Sequence, residues 1–142
     1  MDGSYRLVVE DSPDPADLAL LEERVADAAI AAAGLGDDSE FGIFVRDDDG
    51  RIAAGISGIV WGGCCALQAL WVDKSLRGRG LARALMTAAE DEARRRGCGL
   101  IVSNAYDLLT RGFHEHLGYE TAGVIEGWPA GSAARWFRKD LS

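Results

Sequence analysis

Nowhere do the 142 residues hold an apolar run approaching the ~20 that a membrane helix needs, so no membrane partner is expected. Cysteine is scarce. Cys64, Cys65 and Cys98 are odd in number, two are adjacent, and none belongs to a C-x-x-C pair or a His/Cys metal spacing. Reduced, partly buried thiols and no bound metal follow. The only histidines, His114 and His116, lie two residues apart and lack the i,i+4 spacing of a helical metal pair. Basic residues are too few for nucleic acid: the net charge is −8, and phosphate contacts dominate that kind of affinity. No basic-then-apolar leader runs from Met1 to Glu10, which leaves a cytoplasmic location as the expectation. Internal repeats and low-complexity segments are also lacking.

With 48% hydrophobic and 27% charged residues, a folded globule is favoured over disorder. The length suits one domain, 1–142, with room for a sound core. Charge is unevenly placed: residues 1–70 carry 14 acids against 4 bases and residues 71–142 carry 9 against 11, which together give −8. The basic half suits an anionic ligand. The acidic half either favours a cationic partner or simply keeps the surface soluble.

Tyr5 to Glu10 is β-branched and reads as a short strand. Asp14 caps a helix that begins at Pro15 and stops at Gly34, with Leu18, Leu20, Leu21 and Val25 at helical spacing. Phe41–Arg46 and Arg51–Val60 read as a hairpin about Asp47-Asp48-Asp49-Gly50, and Cys64–Val72 as the next strand after Gly62-Gly63. Gly55 and Gly58 within one strand mark a bulge or something lying close over the sheet. From Leu81 a buried stripe of Leu85, Ala88, Ala89 and Ala93 runs to Arg94-Arg95-Arg96, which read as capping and solubilising residues before the Gly97 stop. Gly99–Ser103 is continuously apolar, as in a parallel strand. A second helix is expected over roughly 108–117, then strands Tyr119–Glu126 and Arg135–Leu141. The order β-α-β-β-β-α-β-α-β-β indicates an α/β or α+β domain with a mixed sheet.

Between the third of the three hairpin-linked strands and the long helix lies Leu70-Trp71-Val72-Asp73-Lys74-Ser75-Leu76-Arg77-Gly78-Arg79-Gly80-Leu81-Ala82. A glycine-broken basic turn that opens into a helix leaves unpaired N–H groups at a positive helix end and lets an anion approach closely. A phosphate-bearing ligand at residues 77–82 is the expectation. A dinucleotide fingerprint is excluded, because Arg83 stands where the third glycine belongs and the unit is mid-chain. A P-loop is excluded because no Gly-Lys-Ser/Thr closes the turn.

Arg77-Gly78-Arg79-Gly80-Leu81-Ala82 resembles the Arg/Gln-x-x-Gly-x-Gly/Ala signature of the GNAT N-acetyltransferase superfamily. Phe113-His114-Glu115-His116-Leu117-Gly118-Tyr119 is similar to that family's Phe-Tyr-Glu-Lys-Leu-Gly-Phe segment. The resemblance spans about residues 41–141. It implies a mixed, mostly antiparallel sheet with a central splayed pair of parallel strands and helices on both faces. It also implies acetyl-coenzyme A as donor, held by backbone N–H groups of Arg77, Gly78, Arg79, Gly80, Leu81 and Ala82. The pantetheine arm would pair with Leu70, Trp71 and Val72 at the split. Asn104 is either a further cofactor contact or a turn residue.

The implied reaction is direct attack of a primary amine of a small molecule or peptide on the thioester, in a ternary complex, with a strand N–H such as that of Val72 at the oxyanion. His114 stands where the family places a tyrosine that protonates the thiolate. It is read as that acid's replacement, with Tyr106 as the alternative phenol. The strand Cys64–Ala69 lacks the carboxylate often found there, which leaves Glu40, Glu126 or water as base. A catalytically weak acyl-coenzyme A sensor or scaffold is the alternative. Family members are often homodimers, so a homodimer stays open.

Overall fold

A computed structural model of the chain describes residues 5–142. It divides into two units, residues 1–36 and 37–142.

In the first unit, helix α1 spans Pro15–Ala33. Asp14 accepts from the Ala16 N–H at 2.9 Å, Pro15 occupies the first turn, and the N–H of Gly34 returns to Ile30 O. Both limits obey the expected capping chemistry. Residues 5–10, expected as a strand, are not one: they join no ladder, and Leu7 and Val9 are fully or nearly fully exposed. Strand preference in a β-branched run becomes a strand only when an edge pairs with it.

The second unit is a six-stranded sheet. It comprises β1 (Ser39–Arg46), β2 (Ile52–Trp61), β3 (Cys64–Val72), β4 (Leu100–Tyr106), β5 (Glu120–Glu126) and β6 (Ala133–Asp140). Their order across the sheet is β1-β2-β3-β4-β6-β5, antiparallel except for β3 and β4. Asp47 closes the β1–β2 turn, its Oδ1 accepting from the N–H groups of Asp49 and Arg51. Helix α2 (Leu81–Arg95) connects the parallel pair. It buries Leu85, Met86, Ala89 and Ala93 against Ala54, Ile56, Cys65, Leu67, Ile101 and Phe137. At roughly 1.5–3 kcal/mol per large apolar side chain, that stripe is the main reason the helix stays on the sheet.

The arginine triplet does more than cap. Arg96 binds Glu92 at 2.7 Å, donates to Ser39 Oγ at 3.1 Å and lies over the Phe41 ring, so it ties the end of α2 to β1. Arg94 Nε donates to Leu141 O at 3.3 Å. The helix expected over 108–117 shrinks to α3, Phe113–His116. Gly112 sits at φ 79°, a left-handed conformation that breaks helical propagation, and Leu108 and Leu109 are exposed in the turn before it. Beneath α2, Glu90 is 6% exposed, accepts from Tyr119 Oη and from Lys139 Nζ at 2.9 Å each, and Lys139 also donates to Leu117 O at 2.8 Å.

Candidate active site

Asp73 caps a short 3₁₀ turn, Lys74–Leu76, by accepting from the Ser75 N–H. Arg77 follows in extended conformation with its Nε 3.2 Å from Val72 O, so its guanidinium stem pins the turn to the end of β3. Gly78 and Gly80 then take φ of 78° and 77°. A Cβ at either would meet nothing within 4 Å, so glycine is needed for its backbone conformation and not for lack of room. The first hydrogen bond into α2 is Ala84 N–H to Gly80 O at 3.0 Å. Gly78 through Arg83 therefore present N–H groups with no backbone acceptor among the described residues. Exposed Lys74, Arg79 and Arg83 surround them. Such an array of free N–H groups at a helix start has the chemistry to hold an anion.

The split lies where β3 and β4 part. Their parallel pairing covers only Cys64–Ala66 against Leu100–Val102. Beyond it a bulge shifts β3 against β2 between Ser57 and Gly58. Alternation fails there: Leu67 is buried and Leu70 packs on the same core, with exposed Gln68 and Ala69 between them. Gly58, beside the shift, is overlain by the Phe41 ring, while the Phe44 ring lies over Gly55. From Ser103 onward β4 pairs only with β6, so the β3-facing edge is open. A cavity of about 350 Å³ fills the gap, walled by Leu67 to Leu70 on one side and Ser103 to Tyr106 on the other. Leu109, Thr110, Phe113, His114, Ile56 and Met86 complete the lining. No carboxylate among the described residues lines it.

His114 is 5% exposed and stacked on Phe137, ring centroids 4.2 Å apart, with Phe113 and Tyr119 edge-on. Its Nε2 lies 3.2 Å from Ser103 Oγ. Burial pushes the imidazole below the usual histidine range, Glu115 opposing weakly, so the ring is neutral at pH 7. As pH falls below ~6.5 the unfolded chain takes up a proton that the folded one refuses, and stability drops through that window. His114→Phe removes this share of the loss. Urea midpoints at about pH 7.5 and 5.5 should therefore differ less in the variant than in the parent.

Two buried polar side-chain atoms lack partners among the described residues, Thr110 Oγ1 and His114 Nδ1, and both belong to residues of this one wall. Buried polar groups are normally satisfied, so these two atoms are exceptions in an otherwise well-paired core. Cys65 is pushed up to about 11 by burial and then by Cys98, and all three cysteines are free. Burial also raises the Cys98 thiol.

The sequence matches the acetyltransferase (GNAT) family over residues 5–119. The chain belongs to that family. An acetyltransferase of Agrobacterium fabrum (strain C58) is 31% identical over 111 residues, 78% of this chain and 80% of its own. A blasticidin-S acetyltransferase of Streptomyces morookaense is 30% identical over 102 residues, 71% of this chain and 75% of its own. The crystal structure of an acetyltransferase from Agrobacterium tumefaciens superposes with a TM-score of 0.83 at 26% identity, covering 96% of this chain and 99% of that one.

Within this GNAT domain the expected site residues fall into three places. Arg77, Gly78, Arg79, Gly80, Leu81 and Ala82 form the turn and the start of α2. Leu70, Asn104, Tyr106 and His114 share the split cavity. Trp71 and Val72 do not line it: Trp71 is half exposed beside Phe44 in a shallow apolar depression, and Val72 pairs with Ala54. The candidate bases are also elsewhere. Glu126 lines a separate cavity of about 530 Å³ beside the Asp107–Arg135 ion pair, and Glu40 lies on β1. Sequence reasoning missed Gln68, Ala69, Ser103 and Thr110. A signal for the bulge did exist, because Leu67 and Leu70 are three apart in a strand whose apolar period is two.

Proposed function

We propose that the chain transfers an acetyl group from acetyl-coenzyme A to a primary amine of a small molecule or peptide, by direct attack in a ternary complex. The observation that carries this is the split between β3 and β4, which opens onto a cavity, while the N–H groups of Gly78 to Arg83 at the start of α2 have no backbone acceptor among the described residues. The turn takes the pyrophosphate, with Arg79 and Arg83 adding charge. The open edges of β3 and β4 take the amides of the pantetheine arm. When bound, the donor supplies an activated thioester. The chain's own work is to hold that thioester in the split, exclude water from it, and stabilise the departing sulfur from the side of the cavity that carries Ser103, Tyr106 and His114.

Similarity to a blasticidin-S acetyltransferase supports a small-molecule acceptor. That no carboxylate among the described residues lines the split favours the competing reading of a weak acyl-coenzyme A sensor. Thiol release with a panel of primary amines separates the two. Amine-dependent release with acetylated product supports the enzyme, whereas tight coenzyme A binding with no productive amine supports the sensor. His114→Phe should lower turnover about tenfold or more and change coenzyme A affinity less than twofold. Unchanged turnover removes His114 from the reaction.

A further inference from the structure

Neither nitrogen of His114 reaches the cavity freely. Nδ1 is enclosed without a partner, and Nε2 faces Ser103 Oγ at 3.2 Å in a buried contact. The ring's orientation is held by stacking on Phe137 and by edge contacts with Phe113 and Tyr119. Orphaned buried N–H groups are rarer than orphaned acceptors, so the proton of the neutral ring belongs on Nε2, leaving a bare lone pair on Nδ1. Ser103 Oγ then accepts from Nε2–H, and its own O–H has to find another acceptor. No other protein group bonds Ser103 Oγ among the described residues, and Ser103 lines the split cavity. Tyr106 is the other titratable group of this wall; no cation or carboxylate stands there.

Resting on the acetyltransferase reading above, we propose that Ser103 is a catalytic residue which donates its hydroxyl to the departing sulfur, and that His114 is the positioning residue that aims it. As the carbon–sulfur bond breaks, its electron pair goes to sulfur. The acceptor amine supplies the new nitrogen–carbon bond and gives its proton to water. Ser103 keeps its proton throughout, and so does His114, so no imidazolium is required. A donor already engaged as an acceptor is polarised by that first bond, which strengthens the second.

The test uses the full chain, with coenzyme A itself as probe. Ionisation of the bound thiol, followed by thiolate absorbance against pH, reports a hydrogen bond to sulfur without any turnover. In the parent the bound thiol should ionise about one pH unit lower than in Ser103→Ala, the tenfold expected of one charge-assisted hydrogen bond. Ser103→Thr restores the parent value. Adding His114→Phe to Ser103→Ala changes nothing further, in thiol ionisation or in the rate of acetyl transfer to hydroxylamine. Parent and Ser103→Ala ionising alike, or the two substitutions adding independently, overturns the proposal. If His114→Phe alone shifts the thiol while Ser103→Ala is silent, only the serine's part falls and the donor reading stands. If the parent binds no coenzyme A, the donor reading itself falls and takes this inference with it.

Discussion

Gly78→Val and Gly80→Val each weaken acetyl-coenzyme A binding by about tenfold to a hundredfold while lowering the melting temperature by only a few degrees. The glycines sit at φ near +78°, where a β-branched residue is strained by roughly 1–2 kcal/mol or more and the backbone relaxes to another region. Relaxation reorients the N–H groups of Gly78 to Arg83 that the proposed function assigns to the pyrophosphate. Each charge-assisted hydrogen bond lost to a phosphate removes about 1.5–3 kcal/mol, and 1.4 kcal/mol is tenfold in affinity. Stability is spared because a Cβ at either position meets no protein atom within 4 Å. Gly99→Ala is the control. Its surroundings are equally open, but its φ lies outside the left-handed range, so neither affinity nor melting should move. Calorimetric titration of the donor alongside thermal melts decides the matter.

Lys139→Met destabilises the fold by about 2–4 kcal/mol, the largest effect expected of a single polar position here. Removing one partner of a buried ion pair typically costs 3–5 kcal/mol, discounted because the Lys139 side chain is 25% exposed. Methionine fills the aliphatic volume but leaves the Glu90 carboxylate, 6% exposed, with Tyr119 Oη alone, and strips Leu117 O of its donor. Burial, then Glu90, already raises the Tyr119 phenol, so it stays a donor at all working pH values. Adding Glu90→Gln to Lys139→Met removes the uncompensated charge. The double variant is therefore more stable than the sum of the single losses, as a double-mutant cycle in urea shows.

Elements bounded by local chemistry were legible in the sequence. Asp14, Pro15 and Gly34 delimit α1, Asp47 to Gly50 turn β1 into β2, and Gly80 and Gly97 bracket α2. The glycine turn at 77–82 was legible for the same reason: Gly78 and Gly80 take left-handed conformations directly before α2, and that is a property of consecutive residues. Elements that depend on a partner were not. Residues 5–10 carry strand preference without an edge, and the run at 108–112 looks helical until Gly112 takes its left-handed turn. The Ser103–His114 contact spans 11 residues and exists only because α3 folds back over β4, so no spacing rule reveals it. Trp71 lies outside the split cavity because the bulge at Gln68–Ala69 reverses which residues of β3 face the core, and no local pattern announces that reversal at Trp71 itself.

The central claim is that the donor lies along the glycine turn and down the β3–β4 split. Titrating coenzyme A into uniformly ¹⁵N-labelled protein and following every backbone amide tests it most directly. The account predicts the largest shifts at Gly78 to Arg83 and at the two walls of the split, Leu67 to Leu70 and Ser103 to Tyr106, with the far edge strands β1 and β5 nearly silent. Shifts centred instead on the cavity beside Asp107 and Arg135, with the amides of Gly78 to Arg83 unmoved, contradict it.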